Sequence, residues 1–289
     1  EYEEVKGKGL KLNMARGKPG EDQLNLSRPL LDVINSSTDC ITAHGADCRN
    51  YGELAGIDEC KNFFAEIFDV DPSDVMVGGN SSLNMMFDTI AGFMTKPVVE
   101  GCKPWYEVKN RKFLCPAPGY DRHFAITEYF DFDLIPVPMT ENGPDMDVVE
   151  KLVENDDSIK GIWCVPKYSN PLGITFSDET VKRFAALKPA AKDFRIMWDN
   201  AYCVHDVTDT PDELLSLMAE CRKTGNVDLP IMFTSTSKIT FPGSGVAAMA
   251  ASDNNMKVIK NRYQYQVISY DKMNMLRHAR FFGDLNGVK

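Results

Sequence analysis

The sequence predicts an α/β fold: a mostly parallel sheet of seven strands with helices on both faces. From about residue 54 onward, segments of helical and of strand periodicity alternate along the chain. Such alternation demands crossover connections, hence parallel strands covered on both sides. The composition, 43% apolar and 26% charged over 289 residues, is that of a globular chain with ordinary Gly and Pro usage. At this size about three quarters of the unfolded surface can be buried, so neither metal nor disulfide staples are needed.

The first 35 or so residues show no clear periodicity and read as an N-terminal arm, part of a small domain, ahead of a large domain over 36–289. Ile57, Cys60, Phe64, Ile67 and Phe68 then recur at helical spacing until the acidic, proline-bearing DVDPSD breaks the helix. A short strand follows at 75–77, then GGNSS, then an apolar-periodic helix through Leu83, Met86, Phe87 and Ile90. Further strands are expected at 112–114, 134–138, 160–165, 194–199, 231–235 and 246–251. Helices are expected at 121–130, 146–154, 177–187, 212–222 and 254–267.

Charge and composition exclude several functions. With 32 basic and 42 acidic residues the net charge is −10, and no basic run could follow a polyanion, so nucleic acid and anionic membrane are poor partners. The longest stretch without Asp, Glu, Lys or Arg is the 14 residues 239–252, which contain Pro and Gly. A spanning helix needs ~20 apolar residues. The acidic start, EYEEVKGKGL, lacks an apolar signal core, and the chain reads as cytoplasmic. Eight irregularly spaced cysteines without a Cys-x-x-Cys pair read as reduced core thiols, and no metal site emerges from them or from the four scattered histidines.

In sheets of this kind chemistry gathers beyond the carboxyl ends of the strands. Lys238, in STSKITFPGSG just past an apolar strand, can be partly desolvated there, leaving its amine able to form a Schiff base. Asp199 ends the apolar FRIMWD, where a carboxylate needs a cationic partner, and a pyridinium nitrogen is one such cation. Asn170 in SNPLG precedes a proline that projects its amide, and Tyr202 can donate to the same oxygen of a ligand. GGNSS lies between a strand and a helix, where backbone N–H groups and the positive helix end bind phosphate, yet it is neither a Walker nor a dinucleotide motif. Tyr120 follows Pro118 and Gly119 and can stack on a planar heterocycle. Taken singly each has a plainer reading: a surface lysine, a helix cap, a turn, a packed tyrosine.

Together these residues resemble the class I aminotransferases among the fold-type I pyridoxal-phosphate enzymes. The order Tyr51, GGNSS, Pro-Gly-Tyr120, Asn170-Pro, Asp199 with Tyr202 and Ser-x-x-Lys238 is similar to that family's from about Leu12 to the end of the chain. The wording GGNSSLN, VPKYSNPLG, TSKITFPGSGVA and DKMNMLRHARF looks most like a bacterial aspartate aminotransferase subgroup. The resemblance implies pyridoxal 5'-phosphate linked to Lys238, which then shuttles the substrate proton. It implies Asp199 on the pyridine nitrogen, Asn170 and Tyr202 on the ring oxygen, and Tyr120 stacked on the ring. Gly79, Asn80, Ser81 and Ser235 would bind the phosphate, with Gly17 and Asn170 at the substrate. Tyr51 would reach the phosphate of a second subunit, implying a homodimer with shared active sites.

Two departures accompany the resemblance. The family usually carries an arginine after the lysine to pair with the phosphate, whereas FPGSGVAAMAAS holds none. Family members also continue into a C-terminal small domain with an arginine for the substrate α-carboxylate, and this chain ends at FFGDLNGVK before it. The expected reaction moves an amino group from L-aspartate to 2-oxoglutarate, giving oxaloacetate and glutamate. The alternatives are alanine transamination, β-elimination or decarboxylation on the same cofactor, or a noncatalytic ligand sensor of the same fold.

Overall fold

A computed structural model describes residues 1–11 and 18–288. The N-terminal segment carries two short helices, α1 (Tyr2–Gly7) and α2 (Glu21–Leu26), neither of which buries a side chain. Then follow α3 (Asp58–Phe68), β1 (Val75–Val77), α4 (Ser82–Thr95), β2 (Lys112–Ala117), α5 (Asp121–Tyr129) and β3 (Asp133–Thr140). The two-residue β4 (Gly143–Pro144), α6 (Met146–Asn155), β5 (Ile159–Cys164), α7 (Asp178–Ala185), β6 (Arg195–Asp199) and α8 (Leu217–Thr224) continue the alternation. The chain closes with β7 (Pro230–Ser235), β8 (Ala247–Ala251), α9 (Asp253–Tyr263), α10 (Lys272–Phe282) and α11 (Leu285–Val288).

All seven expected strands form, and β4 adds a short eighth at one edge of the order β1-β8-β7-β6-β5-β2-β3-β4. The block β7-β6-β5-β2-β3 is parallel, while β8 runs antiparallel to both β7 and β1. Two reversals restore direction, so β1 points the same way as the parallel block. The carboxyl ends of β1, β2, β5, β6 and β7 therefore share one edge of the sheet, the edge where loops can cooperate.

The strands bury both faces with period two. Ile196 and Trp198 of β6 pack toward α3, α6, α7, α8 and α10, whereas Met197 packs toward α4, α5 and α9. Ala248 and Ala250 divide from Ala247, Met249 and Ala251 in the same way along β8. At the opposite edge the buried Lys160 donates to Asp193 (2.8 Å), whose other oxygen accepts from Trp105 Nε1 (2.9 Å), so the charge is paired and both carboxylate oxygens are bonded. Cys164 lies wholly buried in β5, and burial pushes its thiol well above the ordinary value, as an inert core cysteine requires.

Several helices depart from expectation. The helix expected over 212–222 starts later, because Ser216 is its N-cap and accepts from Ala219 N (3.2 Å). The helix expected to reach residue 267 ends at Tyr263. Helix α10 was not expected; Asp271 caps it by accepting from Asn274 N (3.0 Å). The surface, 15029 Å², exceeds the ~12,000 Å² of a compact monomer of this mass, with Leu10, Leu26, Leu31 and Tyr51 all exposed. Among the described residues no helix is long and apolar enough to cross a membrane.

Gly161 in β5 is a position of close approach: an added Cβ would lie 2.6 Å from both the Arg195 carbonyl and the Phe113 ring. Gly161→Ala should therefore destabilise the fold by about 1–3 kcal/mol in denaturant unfolding. A variant as stable as the native protein would contradict this packing.

Candidate active site

The shared strand edge opens into a cavity of about 630 Å³, lined by Gly119, Tyr120, Asn170, Asp199, Tyr202 and Lys238 among others. Residues spread over more than a hundred positions thus meet because their strands point the same way. Asp199 closes β6 and is 3% exposed. Its Oδ2 accepts from, or shares a proton with, His123 Nε2 at 3.0 Å, whereas its buried Oδ1 has no hydrogen-bond partner among the described residues. A buried carboxylate oxygen without a donor is costly, and a protonated ring nitrogen in the cavity would satisfy it.

His123 was not singled out in the sequence. It stands three residues beyond Tyr120 on α5, one turn along the same face, and its ring packs edge-on to Tyr120 (5.0 Å). On the other side it stacks on Trp163 (4.7 Å, 15°), which fixes the imidazole between a core indole and the carboxylate. The i, i+3 spacing from Tyr120 was the available signal. Gly119 is required beside it, since a Cβ would fall 2.3 Å from the Pro116 carbonyl.

Tyr202 is half-buried at the turn after β6 and hydrogen-bonds with Asn170. Burial pushes its hydroxyl above the usual phenol range; the Asn170 bond pulls it down, and the nearby Asp199 charge pushes it up. Asn170 is exposed at the cavity rim. Lys238 departs from expectation. It ends a single 3-10 turn, Thr236–Lys238, and is exposed rather than desolvated, its ammonium 4.6 Å from the centre of the Tyr202 ring. The loop after β7 leaves the strand at once for this turn, so the lysine rises out of the sheet edge into the open cavity. His205 Nε2 meets its backbone carbonyl at 3.1 Å.

The expected phosphate loop lies beside it. Gly79 and Asn80 follow β1, and Ser81 is the N-cap of the 14-residue α4, accepting from Asn84 N (3.4 Å). Asn80 Nδ2 donates to the Gly243 carbonyl (3.2 Å), and Ser237 Oγ donates to the Asn80 carbonyl (3.0 Å). Ser235, at the end of β7, accepts from Ser237 N (3.4 Å). Ser237 therefore bridges the two loops, a role unreadable from its position beside Lys238. Hydroxyls and a helix N-terminus form a cradle suited to an anion. Tyr51 stands apart, 80% exposed on its own turn and not among the residues lining this cavity. Gly17 lies outside the described residues.

The residues fit pyridoxal phosphate: an unsatisfied carboxylate oxygen for the ring nitrogen, an amide and a phenol for the ring oxygen, an accessible amine, and an anion cradle.

The family described as aspartate amino-transferase matches residues 1–289. A Mycolicibacterium smegmatis protein named as an aminotransferase is 46% identical over the whole chain, which covers 68% of that relative. An aspartate aminotransferase of Corynebacterium glutamicum is 43% identical over all of this chain, which spans 66% of its length. The crystal structure of an aspartate transaminase from the same organism superposes with a TM-score of 0.94 at 43% identity, covering 99% of this chain and 67% of that one. The chain thus spans about two thirds of these relatives.

His123→Phe keeps an aromatic ring against Trp163 and removes the bond to Asp199. It should lower the stability of the cofactor-free protein by about 1–3 kcal/mol in denaturant unfolding, since Oδ2 would join Oδ1 without a partner. An unchanged stability would show that the pair carries no energy.

Proposed function

The chain belongs to the aspartate amino-transferase family, and from that premise we propose that it binds pyridoxal 5'-phosphate at Lys238 and transfers an amino group from L-aspartate to 2-oxoglutarate. The observation that carries the cofactor assignment is Asp199, bonded to His123 through one oxygen and without a partner among the described residues at the other, lining the same cavity as Lys238. The name of the Corynebacterium glutamicum relative supports aspartate as the amino donor. The homodimer is part of the same proposal, with Tyr51 reaching the cofactor phosphate of the second subunit, a reading supported by the exposure of Tyr51.

When bound, the cofactor supplies a ring that draws electrons away from the substrate Cα. Asp199 holds a proton at the ring nitrogen, and His123 with Trp163 holds Asp199. Asn170 and Tyr202 orient the ring through its phenolic oxygen, and Tyr120 covers a face of it. Lys238 Nζ would carry the proton between the substrate Cα and C4′ of the cofactor, a general acid–base role that needs a mobile amine with access to the cavity. Its exposure and its seat over the Tyr202 ring provide that access. Gly79, Asn80, Ser81 and Ser235, with the N-terminus of α4, hold the phosphate. Since no arginine occurs over 239–252, hydroxyls and the helix end meet more of its charge.

Lys238→Ala in the full-length protein should abolish both transamination and the visible absorbance of lysine-linked cofactor. Addition of aspartate to the native protein should bleach that absorbance more readily than alanine does. A borohydride-reducible adduct on another lysine would overturn the assignment of Lys238, and a preference for alanine would overturn that of aspartate.

A further inference from the structure

Lys272 is the first residue of α10 and is 3% exposed, yet its ammonium meets only uncharged oxygens: the Asn50 carbonyl (2.6 Å), the Gly52 carbonyl (3.0 Å) and Ser269 Oγ (3.2 Å). It takes part in no ion pair at contact distance among the described residues. Three bonds saturate the three ammonium protons. The placement is nonetheless expensive, because a buried cation loses its hydration and the start of a helix carries positive potential. Asp271, its neighbour, is occupied as the helix cap.

The two carbonyls it gathers flank a single residue, Tyr51. That turn contributes little to the core: Arg49, Asn50, Tyr51 and Glu53 are all exposed. A buried charge is therefore engaged in holding an exposed turn. What the clamp fixes is the direction in which Tyr51 leaves the surface, with the backbone pinned on both sides of it. Tyr270, two residues before Lys272, lies beside this chain's own anion cradle, its ring 3.5 Å from where a Cβ of Gly79 would be. We infer that Lys272 is a positioning residue for the cofactor phosphate of a second subunit, acting through Tyr51. The inference rests on the reading of Tyr51 in the proposed function and adds to it the group that sets the tyrosine in place.

A double-mutant cycle tests this, with pyridoxal 5'-phosphate binding to the cofactor-stripped, full-length protein followed by absorbance titration and the dimer by sedimentation. Tyr51→Phe should weaken binding about tenfold or more, as loss of a bond to a charged group does. Lys272→Met should weaken it comparably in the native background. In the Tyr51→Phe background it should add no more than about twofold, because the hydroxyl it positions is already gone. Lys272→Gln, which keeps a donor, should fall between native and Met and carries the same cycle if the Met variant does not fold. Full additivity of the two substitutions, or a Lys272→Met variant that binds as the native protein does, would overturn the inference while leaving the reading of Tyr51 intact. A Tyr51→Phe variant with native affinity would overturn both.

Discussion

The hydrogen bond between His123 and Asp199, 3.0 Å long and buried at the end of the central strand β6, is the constraint on which the rest of the site depends. It satisfies one carboxylate oxygen and leaves the other to the cavity. The imidazole is itself fixed, stacked on Trp163 and edge-on to Tyr120, so the carboxylate is set by core packing and not by a loop. A charge held this rigidly with one oxygen unsatisfied is prepared for a cation that none of the described residues supplies. The other elements of the cavity surround it: an amine that can move, an amide and phenol that can orient, and a cradle for an anion.

This arrangement follows from the sheet topology more than from any local motif. Because β8 runs antiparallel between β1 and β7, the Gly79 loop comes to the same edge as Asp199 and Lys238. Ser237 then joins the loops by donating to the Asn80 carbonyl. Neither loop has the other as a sequence neighbour, and their contact is a product of two reversals of strand direction. The small side chains of β8, Ala-Ala-Met-Ala-Ala, allow this strand to be buried on both faces beneath helices.

Much of this was legible in the sequence. The seven strands follow from short apolar runs broken by turn residues, and residues such as Asp199, Asn170 and Tyr202 stand at strand ends where polar groups need a purpose. What escaped was of three kinds. Helix starts set by a single side-chain cap, as at Ser216 and Asp271, leave only a faint mark on periodicity. Partners distant in sequence leave little mark: Lys272 gives no spacing signal for the Tyr51 turn, and the i, i+3 step from Tyr120 to His123 marks a shared helix face but does not point to Asp199. The environment of Lys238 was misjudged because an apolar strand before it suggested burial, whereas the chain turns immediately after β7 and lifts the amine into the cavity.

The role proposed for Asp199, holding a proton on the cofactor ring nitrogen, is tested by nitrogen NMR of the full-length protein loaded with pyridoxal phosphate labelled at that atom. The nitrogen should be protonated in the native protein and lose its proton at the same pH in Asp199→Ala. A nitrogen unprotonated in the native protein, or one whose protonation is indifferent to Asp199→Ala, would contradict the account.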